Sequence, residues 1–224
     1  MNTWRLVLSL LILLNGPSSL ASSDAVTHYN NQHPGAPQLS EGFVTTDAGR
    51  LHYVSAGSGP LVVLHHGFPS FWYAWKNQIR ELSKTHQVVA FDGLGVNLSD
   101  KPSELSEYTV KALTHTLNQA VSKLSDAPRF ILIGHDWGGT LAWSFAQRYP
   151  DRLTKLIVLN APPYNLFLEL LANNPQQQKT SRYMTLLQHP AIEYSLSLNR
   201  AYLLWRSAYR KLITPGHFSE AEGE

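Results

Sequence analysis

No cysteine occurs among the 224 residues, which excludes disulfides, thiolate metal sites and a cysteine nucleophile, and leaves the redox compartment open. Charge of one sign is also scarce. The formal balance is +2 with a pI near 8.8, and no lysine or arginine run with interleaved aromatics is present, so nothing points to a nucleic-acid partner. No metal-ligand spacing, phosphate-cradling loop or dinucleotide fingerprint appears; Gly93 and Gly95 alone are too short a pattern for the last. No metal or cofactor is therefore implied. Internal repeats and low-complexity segments are missing as well. What remains is a 43% hydrophobic, 15% charged sequence, ordinary for a globular protein and sufficient for one sizeable core.

Long apolar runs are equally rare. The stretch 6–14 is shorter than the roughly 20 residues a spanning helix needs. With Arg5 ahead of it, Gly16-Pro17 behind it and a small-x-small site at Ser19-Leu20-Ala21, residues 1–21 read as an export signal cleaved after Ala21. The expected location is secreted or periplasmic, with an uncleaved N-terminal membrane anchor as the alternative. No other strong membrane signal is present. Residues 22–40, rich in Ser, Asn, Gln and Pro, are expected to form a flexible lead-in.

From 41 to 160 strand and helix patterns alternate. Two β-prone runs, 41–46 and 50–54, flank Asp47-Ala48-Gly49, a hairpin signal. The continuous apolar run 61–64 follows the turn Gly57-Ser58-Gly59-Pro60 and suits a strand buried on both faces. Helix is expected over 72–82, strand over 87–91, an amphipathic helix over 108–124, strand over 130–133, helix over 139–149 and strand over 153–159. Such alternation implies an α/β fold, a mostly parallel sheet with helices on both faces. From 161 to 224 it ceases, and helical stretches near 167–172, 180–187 and 191–204 are expected to begin a helical cap over the carboxyl ends of the strands, where ligands bind in open α/β sheets.

The chemistry concentrates at Gly134-His135-Asp136-Trp137-Gly138, between the strand at 130–133 and the helix after it. A glycine on each side lets the backbone reverse without a Cβ clash and holds the central side chain above the sheet. This resembles the nucleophile elbow of the α/β-hydrolases, with aspartate where esterases carry serine. An aspartate of ordinary pKa, about 3.9, is already an anion at neutral pH and needs no base to attack. Attack on an ester carbonyl would give only a labile anhydride, so the carboxylate suits a saturated carbon bearing a leaving group, in an epoxide or an alkyl halide. Water must then open the alkyl ester on Asp136 under a general base. The bland reading of Asp136 is a helix-capping acid in an ordinary turn.

His66-Gly67-Phe68-Pro69 follows the strand at 61–64. With the elbow it resembles the epoxide hydrolase and haloalkane dehalogenase branch of the α/β-hydrolase fold family. That resemblance implies an oxyanion hole from the N–H groups of Phe68 and Trp137, with His66, Gly67, Pro69 and His135 shaping the pocket and His66 fixing the loop. Trp72-Tyr73-x-Trp75-x-x-Gln78, Asn97-Leu98-Ser99-Asp100-Lys101-Pro102, Gly134 to Gly139 and Leu159-Asn160-Ala161-Pro162 are similar to epoxide hydrolases, as is Asn174-Pro175-x-Gln177 with Ser181-x-Tyr183 and Gln188-x-Pro190. The last register puts a lid tyrosine at Tyr183, whose phenol would donate a hydrogen bond to the epoxide oxygen. The implied activity is opening of a small-molecule epoxide to a diol through an aspartyl ester.

Departures accompany the likeness. Gly93-Leu94-Gly95 follows Asp92 where an arginine-glycine pair usually follows the equivalent aspartate, and Asn160 stands where some relatives keep their acid. Phe68 replaces an asparagine that helps some haloalkane dehalogenases hold halide, which favours epoxide, with dehalogenation as the enzymatic alternative. Asn97-Leu98-Ser99 fits a glycosylation sequon but is read as a turn. The family's catalytic histidine, its acid and the second lid tyrosine lie on final strands and loops that this sequence lacks. It therefore reads as an incomplete version of a longer hydrolase, with a non-catalytic fragment or ligand-binding relative as the alternative of another class.

Overall fold

The structure is a computed structural model that describes residues 21–187. Its centre is a six-stranded sheet in the order β1-β2-β4-β3-β5-β6, built from β1 (Ser40–Thr46), β2 (Gly49–Ala56), β3 (Leu61–His65), β4 (Gln87–Phe91), β5 (Phe130–His135) and β6 (Leu153–Leu159). The first two strands form an antiparallel hairpin, β2 runs antiparallel to β4, and the remaining neighbours are parallel. The hairpin turn is tight, with Gly49 at φ +128° as the first residue of β2.

The apolar runs of β3 and β4 are continuous because successive side chains enter two different cores. On one face Val63, Val89, Phe91 and Leu132 pack against Leu117, Ala120 and Val121 of helix α3 (Val110–Leu124) and Leu141, Ala142 and Phe145 of helix α4 (Trp137–Arg148). On the other, Val62, Leu64, Val88 and Ala90 meet Ile79 of helix α2 (Lys76–Leu82) together with Trp72 and Trp75. Each Val, Leu, Ile or Phe among them contributes about 1.5–3 kcal/mol when fully buried. Among the described residues β6 lies at one edge of the sheet, with Ile157 and Leu159 exposed.

Several boundaries differ from the sequence expectation. The helix expected over 72–82 opens as a 3₁₀ turn at Trp72–Trp75, and the one expected from 108 begins at Val110, capped by Thr109, whose hydroxyl accepts the Ala112 N–H at 3.2 Å. Residues 22–40, expected as a flexible lead-in, instead carry helix α1 (Ala21–Gln32). Its Val26 and Tyr29 sit in the second core, and the Asn30 amide bonds the backbone of Leu39 in both directions, at 2.8 and 3.1 Å. One turn of apolar spacing, hidden among polar neighbours, was enough to dock it.

After β6 come α5 (Tyr164–Asn173), α6 (Pro175–Thr180) and α7 (Arg182–Leu187). Asn174 caps α6 by accepting the N–H groups of Gln176 and Gln177. The expected helix at 191–204 and the export segment lie outside the described residues.

A buried charge cluster ties the hairpin to the loop after β4. His52, wholly buried, places Nδ1 2.7 Å from Asp92 Oδ2 and Nε2 3.2 Å from Glu41 Oε2. Both neighbours are acceptors, so both ring nitrogens donate and the ring is an imidazolium. Burial opposes that charge, but the two carboxylates outweigh it and His52 is raised above its usual range. A raised pKa contributes stability that is fully present below the unfolded value, near 6.5, and is lost as pH rises through the folded value. The gap in melting temperature between the wild type and His52→Gln should therefore be widest below about pH 6.5 and shrink at higher pH; a gap that grows with pH would contradict the imidazolium.

Candidate active site

The site begins where β5 ends. Asp136 has φ 53° and ψ −118°, a strained conformation for a residue with a Cβ, and Trp137 already opens α4. The helix therefore starts two residues ahead of the expected 139. Its entry is possible only because a Cβ on Gly134 would collide with the carbonyl of Gly138, and one on Gly138 with the carbonyls of His65 and His66. The backbone is fixed on both sides: Asp136 N–H donates to the Leu159 carbonyl at 3.0 Å, and the Asp136 carbonyl accepts the Thr140 N–H at 3.0 Å.

The turn after β3 closes over this elbow. Phe68 N–H donates to Asp136 Oδ1 at 3.0 Å, and Gly67 approaches so closely that an added Cβ would lie 2.5 Å from that of Asp136. Trp137, as the first residue of α4, has its amide ahead of the helix's own ladder, at the positive end of the helix dipole.

His66 holds the turn in place. Its Nε2 accepts the Gly93 N–H at 3.0 Å, so the hydrogen is on Nδ1, which donates to the Gly67 carbonyl at 2.8 Å. Burial pushes this imidazole below its usual range, and its stacked neighbour His65 down to about 3. Both are neutral at physiological pH. His135 ends β5 and does not line the cavity described next, and Pro69 follows Phe68 through a cis peptide bond.

Above Asp136 lies a cavity of about 250 Å³, bordered by helices α5 to α7. Its wall joins Asp136, Trp137 and Thr140 to Asn160, Phe167, Ser181, Tyr183 and Met184. Asp136 and Tyr183, 47 positions apart in sequence, thus face one space. Partial burial, with the negative charge of Asp136 nearby, pushes the Tyr183 phenol up to about 12. It is protonated at neutral pH and is a hydrogen-bond donor. Asn160, at φ 54°, supplies a neutral amide. No histidine lines this cavity among the described residues.

Asp92 went unassigned in the sequence. Wholly buried, it accepts from Trp72 N–H at 2.9 Å, Asn97 Nδ2 at 2.7 Å and His52 Nδ1 at 2.7 Å. It thereby couples the segment after the Phe68 turn to the loop after β4. Asn97, the sequon residue, has its amide nitrogen engaged in this network. Only the apolar-strand-then-acid pattern at 87–92 could have signalled it.

The comparisons agree with this fold. The family model for the alpha/beta hydrolase fold matches residues 60–204. The chain belongs to that family of hydrolases. Epoxide hydrolase 3 of Xenopus tropicalis is 40% identical over 186 residues, which cover 82% of this chain and 49% of the relative. An AB hydrolase superfamily protein of Bacillus subtilis, YfhM, is 42% identical over 161 residues, covering 70% of this chain and 56% of its own. The chain thus spans about half the length of the curated relatives it matches. Among solved structures, the epoxide hydrolase of Bacillus megaterium in complex with an inhibitor superposes with a TM-score of 0.75 at 34% identity, covering 81% of this chain and 63% of its own.

The elbow makes a direct demand on position 138. Gly138→Ala forces a methyl against two backbone carbonyls and should lower stability by about 1–3 kcal/mol, read as a fall in the urea midpoint. An unchanged midpoint would show that the close approach of α4 to the β3 turn does not constrain the fold.

Proposed function

We propose that this protein is an epoxide hydrolase-type enzyme in which Asp136 opens a small-molecule epoxide by forming an alkyl ester. What supports this best is the pairing of the Phe68 N–H to Asp136 Oδ1 contact with Tyr183 in the same cavity. Asp136 Oδ2 bonds to a ring carbon, the C–O bond of the epoxide breaks, and its electron pair goes to the ring oxygen, which takes the phenolic proton of Tyr183. The two groups help each other. Part of what holds the phenol high is the negative charge of Asp136, and that charge is consumed as the ester forms, so the proton becomes easier to give as it is needed.

In the second half, water adds to the ester carbonyl and negative charge gathers on the oxygen held by the Phe68 N–H, joined by the Trp137 N–H. Such a donor lowers the barrier by roughly 3 kcal/mol. Water attack needs a base, and the family resemblance assigns that role to a histidine and acid of a longer chain. Among the described residues, the groups facing the cavity support the first half-reaction, with helices α5 to α7 as the start of the cap. A halide leaving group would need no proton from Tyr183. Export through residues 1–21 with cleavage after Ala21 would remove only the first residue of α1 and leave the helix from Ser22 onward.

Incubation with styrene oxide followed by intact-mass and peptide analysis tests this reading. The wild type should carry one adduct on Asp136, Asp136→Asn none, and Tyr183→Phe should be alkylated about 100-fold more slowly. An adduct on another residue would overturn the assignment of Asp136. Equal rates for wild type and Tyr183→Phe, or halide release from a bromoalkane without epoxide opening, would overturn that of Tyr183.

A further inference from the structure

Helices α6 and α7 have six residues each, too few to be stable by themselves in water. Where they point is therefore set by what anchors them. Between Leu159 and Met184 one residue is buried, and it is a serine: Ser181, 6% exposed. It stands at the joint, after the last residue of α6 and before the first of α7, at φ −91° and ψ 2°. Tyr183 follows two positions on.

A buried hydroxyl in place of an apolar anchor persists where it is bonded. Ser181 Oγ accepts from Gln177 Nε2 at 2.8 Å, its N–H donates to the Gln177 carbonyl at 2.9 Å, and its carbonyl accepts the Met184 N–H at 3.0 Å. Gln177 is in turn fixed by Asn174, whose Oδ1 accepts its N–H at 3.0 Å. The backbone bonds are those of any helix joint, but the side-chain bond is particular to this pair and ties α6 to the residue that aims α7. Gln177 and Ser181 line the same cavity as Asp136 and Tyr183, so a shift at the bend is felt there. A displacement of about 1 Å between reacting groups costs about 100-fold in rate.

We propose that Gln177 and Ser181 are positioning residues: the bond between their side chains fixes the bend from α6 into α7 and thereby holds the Tyr183 phenol over Asp136. They act through Tyr183, so their effect on rate rests on the proton donor and nucleophile proposed above. The two side chains form one unit, and its loss from either end is the same loss. Two measurements on the 224-residue chain keep the positioning and the chemistry apart.

The first needs no reaction. 3-Fluorotyrosine in place of Tyr183 reports ionisation of that phenol by fluorine NMR, and Asp136→Asn should lower its midpoint, because the charge of Asp136 is one of the causes that raise it. In Gln177→Leu and in Ser181→Ala the same Asp136→Asn change should leave the midpoint almost unmoved, and Ser181→Thr, which keeps the hydroxyl, should restore the shift. The second is the rate of Asp136 alkylation by styrene oxide. It should fall about tenfold in Gln177→Leu, about tenfold in Ser181→Ala, and about tenfold rather than about a hundredfold in the double variant, since coupled partners are lost once. A full midpoint shift in both single variants, or a double variant slowed by the product of the single effects, overturns the pairing. No shift on Asp136→Asn in the otherwise wild-type chain overturns it as well, since Tyr183 is then not held over Asp136. If Gln177→Leu fails to fold, Gln177→Asn, one methylene too short to reach Ser181, takes its place with the same outcomes. A shift lost in both single variants, with no styrene oxide adduct in the wild type, leaves the positioning standing and defeats Asp136 as the nucleophile.

Discussion

Asp136 is held in a left-handed backbone conformation by its surroundings, and the site exists because of it. A side-chain-bearing residue at φ 53° is strained, so the conformation persists only because the neighbours overdetermine it. The strand end is pinned by the Leu159 carbonyl, the helix start by Thr140, and the flanks by glycines at 134 and 138 that admit backbone where a Cβ would collide. Released, Asp136 would turn back toward the strand and lose both the Phe68 amide and the cavity it shares with Tyr183. The fold's parallel strands, buried on both faces, supply the stability that such local strain consumes.

Around that point the charges are sorted by distance from the nucleophile. Close to Asp136, His65 and His66 are desolvated and neutral, and His66 is committed through both ring nitrogens to holding the turn that carries Phe68. Farther out, His52 is equally buried yet cationic, because two carboxylates face it. The same residue type is driven in opposite directions by its partners. The charged cluster sits behind the turn as a fastener through Asp92, while the face toward the cavity keeps one carboxylate and one phenol whose protonation states oppose each other.

What could be read beforehand follows from how local the signals are. The strands at 61–65 and 87–91 announce themselves as continuous apolar runs because both of their faces are buried, and the elbow announces itself because two glycines four positions apart are a backbone requirement written directly in sequence. The early start of α4 was hidden because Gly138 and Gly139 are poor helix formers in isolation; here tertiary packing needs their missing side chains. Helix α1 was hidden because its Ser, Asn and Gln content resembles a linker, although Val26 and Tyr29 reach the core. The His52, Asp92 and Glu41 cluster joins two strands and a loop up to 51 positions apart, and no spacing rule connects them. Tyr183 was reached through family resemblance alone, since a tyrosine beside Met184 and Leu187 in a short helix looks like ordinary packing until the folded chain brings it over Asp136.

The asymmetry of the Asp136 carboxyl is the centre of this account: one oxygen is held by the Phe68 amide, and the other does the bonding. A crystal structure of the protein after reaction with a terminal epoxide tests it directly. The account predicts continuous density from Oδ2 to the substrate carbon, with Oδ1 still about 3 Å from the Phe68 nitrogen. Attachment through Oδ1, or an alkylated histidine with Asp136 untouched, would contradict it.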